Sequence, residues 1–155
     1  MREQLRSNPA NAPVLDDALA AIDSLEANRP VDVSAMHPAL QGLFAPKVQP
    51  FLMDMMAQDA AQKARALRVP LLIVQGGRDV QVTMADFDAL RTANPKARHL
   101  LLPKMTHVLK DASGDDRASS LATYADASLP LSPGLAEAIS AFVKCFPRGG
   151  AGTVC

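Results

Sequence analysis

Unbalanced charge, long apolar runs and cysteine are all scarce in this chain of 155 residues. Sixteen lysine and arginine side chains meet sixteen aspartate and glutamate side chains, with no basic stripe and no acidic tail. That balance removes the electrostatic footprint of a nucleic-acid binder or of a protein held on an anionic membrane, and suits a neutral or modestly polar small molecule better. The apolar runs are only a few residues long, well short of the roughly 20 that a membrane-spanning helix needs. Met1-Arg2-Glu3-Gln4 opens no apolar secretory segment, so the location expected by default is cytoplasmic, and any export signal of a longer form would lie upstream. Cys145 and Cys155 are too few and too late for a disulfide framework and read as incidental, the second in a Gly-rich tail, 148–155, expected to fray.

What is present falls into two patterns. Leu15, Ala18, Leu19, Ile22 and Leu25 recur at helical spacing behind Asp16 and Asp17, where the helix dipole favours anions, and the helix should end before Arg29-Pro30. A short helix is expected from Pro38 to Phe44. A third should place Val48, Phe51, Leu52, Met55 and Met56 on one inward stripe, with Pro50 tolerated in its first turn. Asp59 is a good N-cap for a fourth, running toward Leu67. Residues 1–66 thus read as a helical segment with no strand.

From residue 67 the period changes. Leu71 to Gln75 is a short apolar run between Pro70 and Gly76-Gly77, the composition of a strand covered on both faces of a parallel sheet. Thr83 with Asp86 three residues on starts a helix with a capping box; Met84, Phe87 and Leu90 should face inward, and Asn94-Pro95 stops it. Arg98 to Leu102 is the second strand, so the unit is βαβ and its crossover should be right-handed. Lys110 to Ser132 reads as a polar loop. Ser132-Pro133 then reads as an N-cap followed by proline, opening a last helix with Leu135, Ile139, Phe142 and Val143 on its apolar face and Pro147 at its end.

Both strands deliver chemistry at their C-terminal ends. The first runs into Gly76-Gly77-Arg78-Asp79 and supplies a carboxylate; the second runs into Pro103-Lys104-Met105-Thr106-His107 and supplies an imidazole 28 residues later. Open α/β sheets place their sites at this end. The arrangement resembles the C-terminal half of a serine α/β-hydrolase, of the branch that holds serine aminopeptidase-like and monoglyceride-lipase-like proteins. In that family a G-x-x-D turn after the next-to-last strand bears the triad acid, matched by Gly76 to Asp79, and the loop after the last strand bears the triad histidine, matched by Met105-Thr106-His107-Val108-Leu109-Lys110. The resemblance implies that 67–147 is the end of the catalytic core, that 1–66 is a lid-like insertion, and that Leu135 to Lys144 is the final helix.

The sequence departs from the family in one decisive respect. A nucleophile serine on a G-x-S-x-G turn would precede Asp79 in chain order, and no serine of these 155 residues has that setting. The role left to Asp79 is to orient His107 and to stabilise its imidazolium. Loss of a nucleophile costs on the order of a millionfold in rate, so the chain alone is expected to be inactive.

Other residues have plainer readings. His37 before Pro38 and His99 at the start of the second strand have no acid or ligand at motif spacing and read as structural or exposed. Asp111-Ala112-Ser113-Gly114-Asp115-Asp116 fails as a calcium loop because its glycine falls fourth and Ala122 stands where a bidentate glutamate belongs. Met53, Met55 and Met56 read as packing. Ser113, Ser119 and Ser120 lack the strand-to-helix turn and oxyanion donors of a nucleophile.

The expectation is a partial α/β-hydrolase fold, without metal or cofactor, carrying the acid and base of an ester, thioester or amide hydrolase. A small acyl substrate would be engaged only if a nucleophile-bearing half completes the site. The alternative is a binding module that pairs with another chain, or with itself, through the open edge of the strand from Leu71 to Gln75.

Overall fold

The computed structural model describes residues 2–6 and 8–146. The expected helix stop at Pro147 and the expected frayed tail with Cys155 lie outside the described residues. The chain divides into two compact units, Met1–Asp59 and Ala60–Cys155.

The first unit is helical. Its elements are α1 (Arg2–Arg6), a 3-10 stretch (Pro9–Val14), α2 (Leu15–Glu26), α3 (Pro38–Gln41) and α4 (Gln49–Met56). Asn28 ends α2 in the left-handed conformation, at φ 56°, and the Arg29 N–H reaches back to the Ser24 carbonyl at 2.9 Å, which closes the last turn. Ala18, Ala21, Ile22 and Leu25 of α2 bury against Leu40, Phe44 and Leu52.

The inward face of α4 is not the expected one. Phe51 is 65% exposed and Met55 is exposed, while Gln49 is 2% exposed. The buried amide decides the rotation of the helix. Its Nε2 donates to the Val31 and Phe44 carbonyls, both at 2.8 Å, and its Oε1 accepts the Val31 N–H at 3.0 Å. A fully bonded side chain can replace an apolar one in a core, and here it pins the segment after α2 onto α4. With Gln49, Leu52, Met53 and Met56 inward, helical geometry turns Phe51 and Met55 to solvent.

The second unit mixes helices with a two-stranded parallel sheet. It runs α5 (Ala60–Ala66), β1 (Leu72–Gly76), α6 (Met84–Ala93), β2 (Arg98–Leu102), α7 (Arg117–Ala125) and α8 (Leu135–Cys145). Leu72 pairs with Arg98 and Gly76 with Leu102. The Asp86 carboxylate accepts from the Thr83 N–H and hydroxyl, both at 2.8 Å, so α6 starts where the sequence placed its capping box. Ile73, Phe87 and Ala97 form a small core with Leu71 and Leu90 against it.

Coverage is thinner than a central strand implies. Ile73 is buried but Leu72 and Val74 are half-buried, Leu101 is exposed, and Met84 is exposed on α6. On α8 only Leu135 is buried; Ile139 and Val143, expected on its inward face, are exposed. The start of α8 also differs from expectation. Ser132 commits its hydroxyl to Asp111 and its N–H to the Leu109 carbonyl, so Gly134, at φ 83°, takes the N-cap position in a conformation that suits glycine. Cys145, read as incidental, is disulfide-bonded. No helix among the described residues is long and apolar enough to cross a membrane.

Candidate active site

Two glycines let the C-terminal ends of β1 and β2 meet. A β-carbon on Gly77 would stand 2.5 Å from the Pro103 carbonyl oxygen, and one on Gly76 would strike the Met105 carbonyl, so only bare backbone fits. The freed space is filled by hydrogen bonds: Gly77 N–H to the Leu102 carbonyl at 2.9 Å and Arg78 N–H to the Met105 carbonyl at 3.0 Å. The turn that carries Asp79 is thereby laced to the loop that carries His107.

Asp79 serves both loops. One carboxylate oxygen accepts the Gln81 and Val82 N–H groups at 2.8 and 2.9 Å, which folds the chain back toward α6. The other lies 3.0 Å from His107 Nδ1. Asp79 is 9% exposed at its side chain and His107 41%, so an enclosed acceptor holds an accessible ring. A carboxylate oxygen accepts, so the ring nitrogen that faces it is the donor. Nδ1 therefore carries hydrogen, and in the neutral ring Nε2 then holds the lone pair, the tautomer required of a general base.

The His107 loop is tightly closed. Thr106 N–H donates to the Lys110 carbonyl at 2.9 Å, Leu109 N–H to the Thr106 carbonyl at 3.0 Å, and Met105 bridges Asp111 in antiparallel fashion. Leu109 sits at φ 64°, a conformation that costs a branched side chain about 1–2 kcal/mol. Its carbonyl is held by Ser132 N–H at 2.8 Å, which helps fix the strained geometry.

The remaining residues singled out by sequence have other duties. Ser119 Oγ donates to the Asp116 carboxylate at 2.6 Å, Ser120 is buried with Oγ toward the Asp116 carbonyl, and Ser113 is exposed. Asp111 engages Ser132, Asp115 pairs with Arg78, and Asp116 caps α7, so these acids are distributed over three separate contacts. His37 Nδ1 caps α3 by accepting the Ala39 N–H. His99 packs edge-on to Phe87, ring centres 6.1 Å apart.

Residues 110–132 are not simply the polar loop expected, because they contain α7. Its buried side is made of Ser120 and Thr123, so apolar periodicity could not reveal it. The legible signal was Asp116 with Ser119 three residues on, an N-cap pair. A cleft of about 420 Å³ opens elsewhere in this unit, lined by Arg65, Arg68, Val69 and Lys96 near the start of each strand, and contains neither Asp79 nor His107.

Comparison of the chain with family models, with curated proteins and with solved structures returned no match.

Proposed function

We propose that the second unit is the acid–base region of a serine α/β-hydrolase, acting on an ester, thioester or amide once a nucleophile-bearing segment completes it. The single observation that carries this reading is Asp79 Oδ2 at 3.0 Å from His107 Nδ1 at the C-terminal ends of two adjacent parallel strands. In the completed site a serine attacks the acyl carbon while His107 Nε2 takes its proton. The same nitrogen then returns that proton to the leaving group, and Asp79 stabilises the imidazolium between the two steps. The lid-like role of the helical first unit belongs to the same proposal.

The test is expression of the chain in line with whatever coding sequence precedes Met1, followed by assay with activated esters and a fluorophosphonate probe. Turnover that falls by roughly a thousandfold or more with His107→Ala supports the proposal. An equally active His107→Ala protein, or a preceding sequence without a nucleophile turn, sinks it.

A second reading, a non-catalytic module that pairs with another chain, is favoured by the sheet itself. Ile73 and Gln75 face β2 through their backbone groups, so those of Leu72 and Val74 point to an edge that no strand among the described residues occupies. Strand addition at that edge by a partner or a second copy is the interaction this reading requires.

A further inference from the structure

We propose that α7 is a clamp that sets the Asp79–His107 pairing, with Thr123 and Tyr124 as its positioning residues; this rests on reading the pair as triad acid and base. Consecutive side chains of one helix reach the two loops separately. Thr123 Oγ1 lies 3.0 Å from Thr106 Oγ1, next to His107, in a site where both residues are at most 2% exposed. Tyr124 accepts at 2.8 Å from Gln81, whose N–H is itself bound by Asp79. Two further ties close the frame: Lys110 Nζ donates to the Asp126 carbonyl just past the helix, and Arg78 pairs with Asp115 just before it. Every loop residue in these ties is within three positions of Asp79 or His107.

The buried hydroxyls bind the histidine loop both to α7 and to itself. Thr123 Oγ1 donates to the Ser120 carbonyl at 2.7 Å, while Thr106 Oγ1 lies 2.9 Å from the Lys110 carbonyl of its own loop and 3.0 Å from Thr123 Oγ1. With the Thr123 proton on the Ser120 carbonyl, the Thr123 oxygen is open to the Thr106 proton, which it shares with the Lys110 carbonyl. A valine at 123 keeps the shape and leaves the Thr106 hydroxyl bonded only within its own loop, to Lys110, and no longer to α7. The loop is then held to the α7 region by one tie fewer, and His107 Nδ1 leaves Asp79 more readily.

The test reads the His107 ring in the isolated chain through its 13C and 15N imidazole shifts across a pH titration, which needs no nucleophile. The wild-type ring is expected in the Nδ1–H tautomer. Thr123→Val should raise the Nε2–H population about fivefold, the effect of losing one ordinary hydrogen bond in a two-state equilibrium. Thr123→Ser, which keeps the hydroxyl, should restore the wild-type ring, and Tyr124→Phe should shift it in the same direction as Thr123→Val. Ala93→Gly, in α6 and away from the loops, supplies a control for loss of stability alone.

A wild-type ring in the Nε2–H form overturns the pairing and the clamp together. An Nδ1–H ring that Thr123→Val leaves unchanged, or that Ala93→Gly shifts equally, overturns the clamp and leaves the proposed hydrolase reading standing.

Discussion

Gly76 lies so close to the Met105 carbonyl that a methyl group on its α-carbon would enter that oxygen, and Gly77 stands in the same relation to Pro103. These contacts are backbone against backbone, so neither side can swing away as a flexible side chain would. The glycine pair is what allows the acid turn and the histidine loop to share hydrogen bonds.

Gly76→Ala and Gly77→Ala should each destabilise the second unit by about 3 kcal/mol, the scale of a backbone clash that must be relieved by displacement. The Arg78 amide, bound to Met105, should lose protection from hydrogen exchange in both variants. Native-like stability and protection in Gly76→Ala would show that the loops part without cost.

The rotation of α4 makes a paired prediction for the first unit. Leu52→Ala, at a buried position, should cost about 2–4 kcal/mol, whereas Phe51→Ala should stay within about 0.5 kcal/mol despite removing the larger side chain. Gln49→Leu should cost about 3 kcal/mol because it strands the Val31 N–H and the Val31 and Phe44 carbonyls together. Denaturant titrations of the three variants check the order. A Phe51→Ala loss as large as that of Leu52→Ala would restore the apolar-stripe orientation.

Phe51 also shows where the sequence is hard to read. The positions of α2, β1, α6 and β2 follow from local patterns: apolar spacing, the Pro70 and Gly76 boundaries, and the Thr83–Asp86 box. The meeting of Asp79 and His107 was legible for the same reason, since two strand ends in a parallel pair converge at one side of the sheet. The rotation of α4 and the burial of the polar side of α7 depend on side chains whose partners are distant in sequence. Gln49 reaches back 18 residues to Val31, and Thr123 reaches back 17 to Thr106. Nothing in a local window distinguishes such a buried glutamine or threonine from a solvated one.

Acid should loosen the caps of α6 and α7. The Thr83 N–H and hydroxyl hold the Asp86 carboxyl below its ordinary value of 3.8, and the Ser119 hydroxyl and N–H do the same for Asp116. A depressed carboxylate stabilises the fold above its unfolded value, and that contribution is lost as the pH falls below 3.8 through the depressed one. Asp86→Asn and Asp116→Asn should therefore lower stability near neutrality and flatten its decline in acid. Thermal melts at several pH values test this; parallel curves for variant and wild type would mean that neither carboxylate is linked to folding.

The outward face of α8 yields the last prediction. Val143 is 63% exposed, and Ile139 on the same helix and Phe146 just after it are exposed. Phe142 lies with its ring centre 5.3 Å from that of Phe146, so the apolar groups form a cluster rather than isolated points. Val69 before β1 and Leu101 within β2 add exposed apolar area to the same unit. Contiguous apolar surface beyond a few hundred Å² marks an interface or an aggregation hazard. The chain should accordingly bind a dye that reports apolar surface and sediment as more than a monomer at micromolar concentration. Val143→Lys should reduce both signals, and Ile139→Lys with it should reduce them further, because a charge cannot be buried unpaired in such a contact. A chain that sediments as a sharp monomer without dye binding would contradict this. It would also remove the support that exposed surface lends to the pairing-module reading.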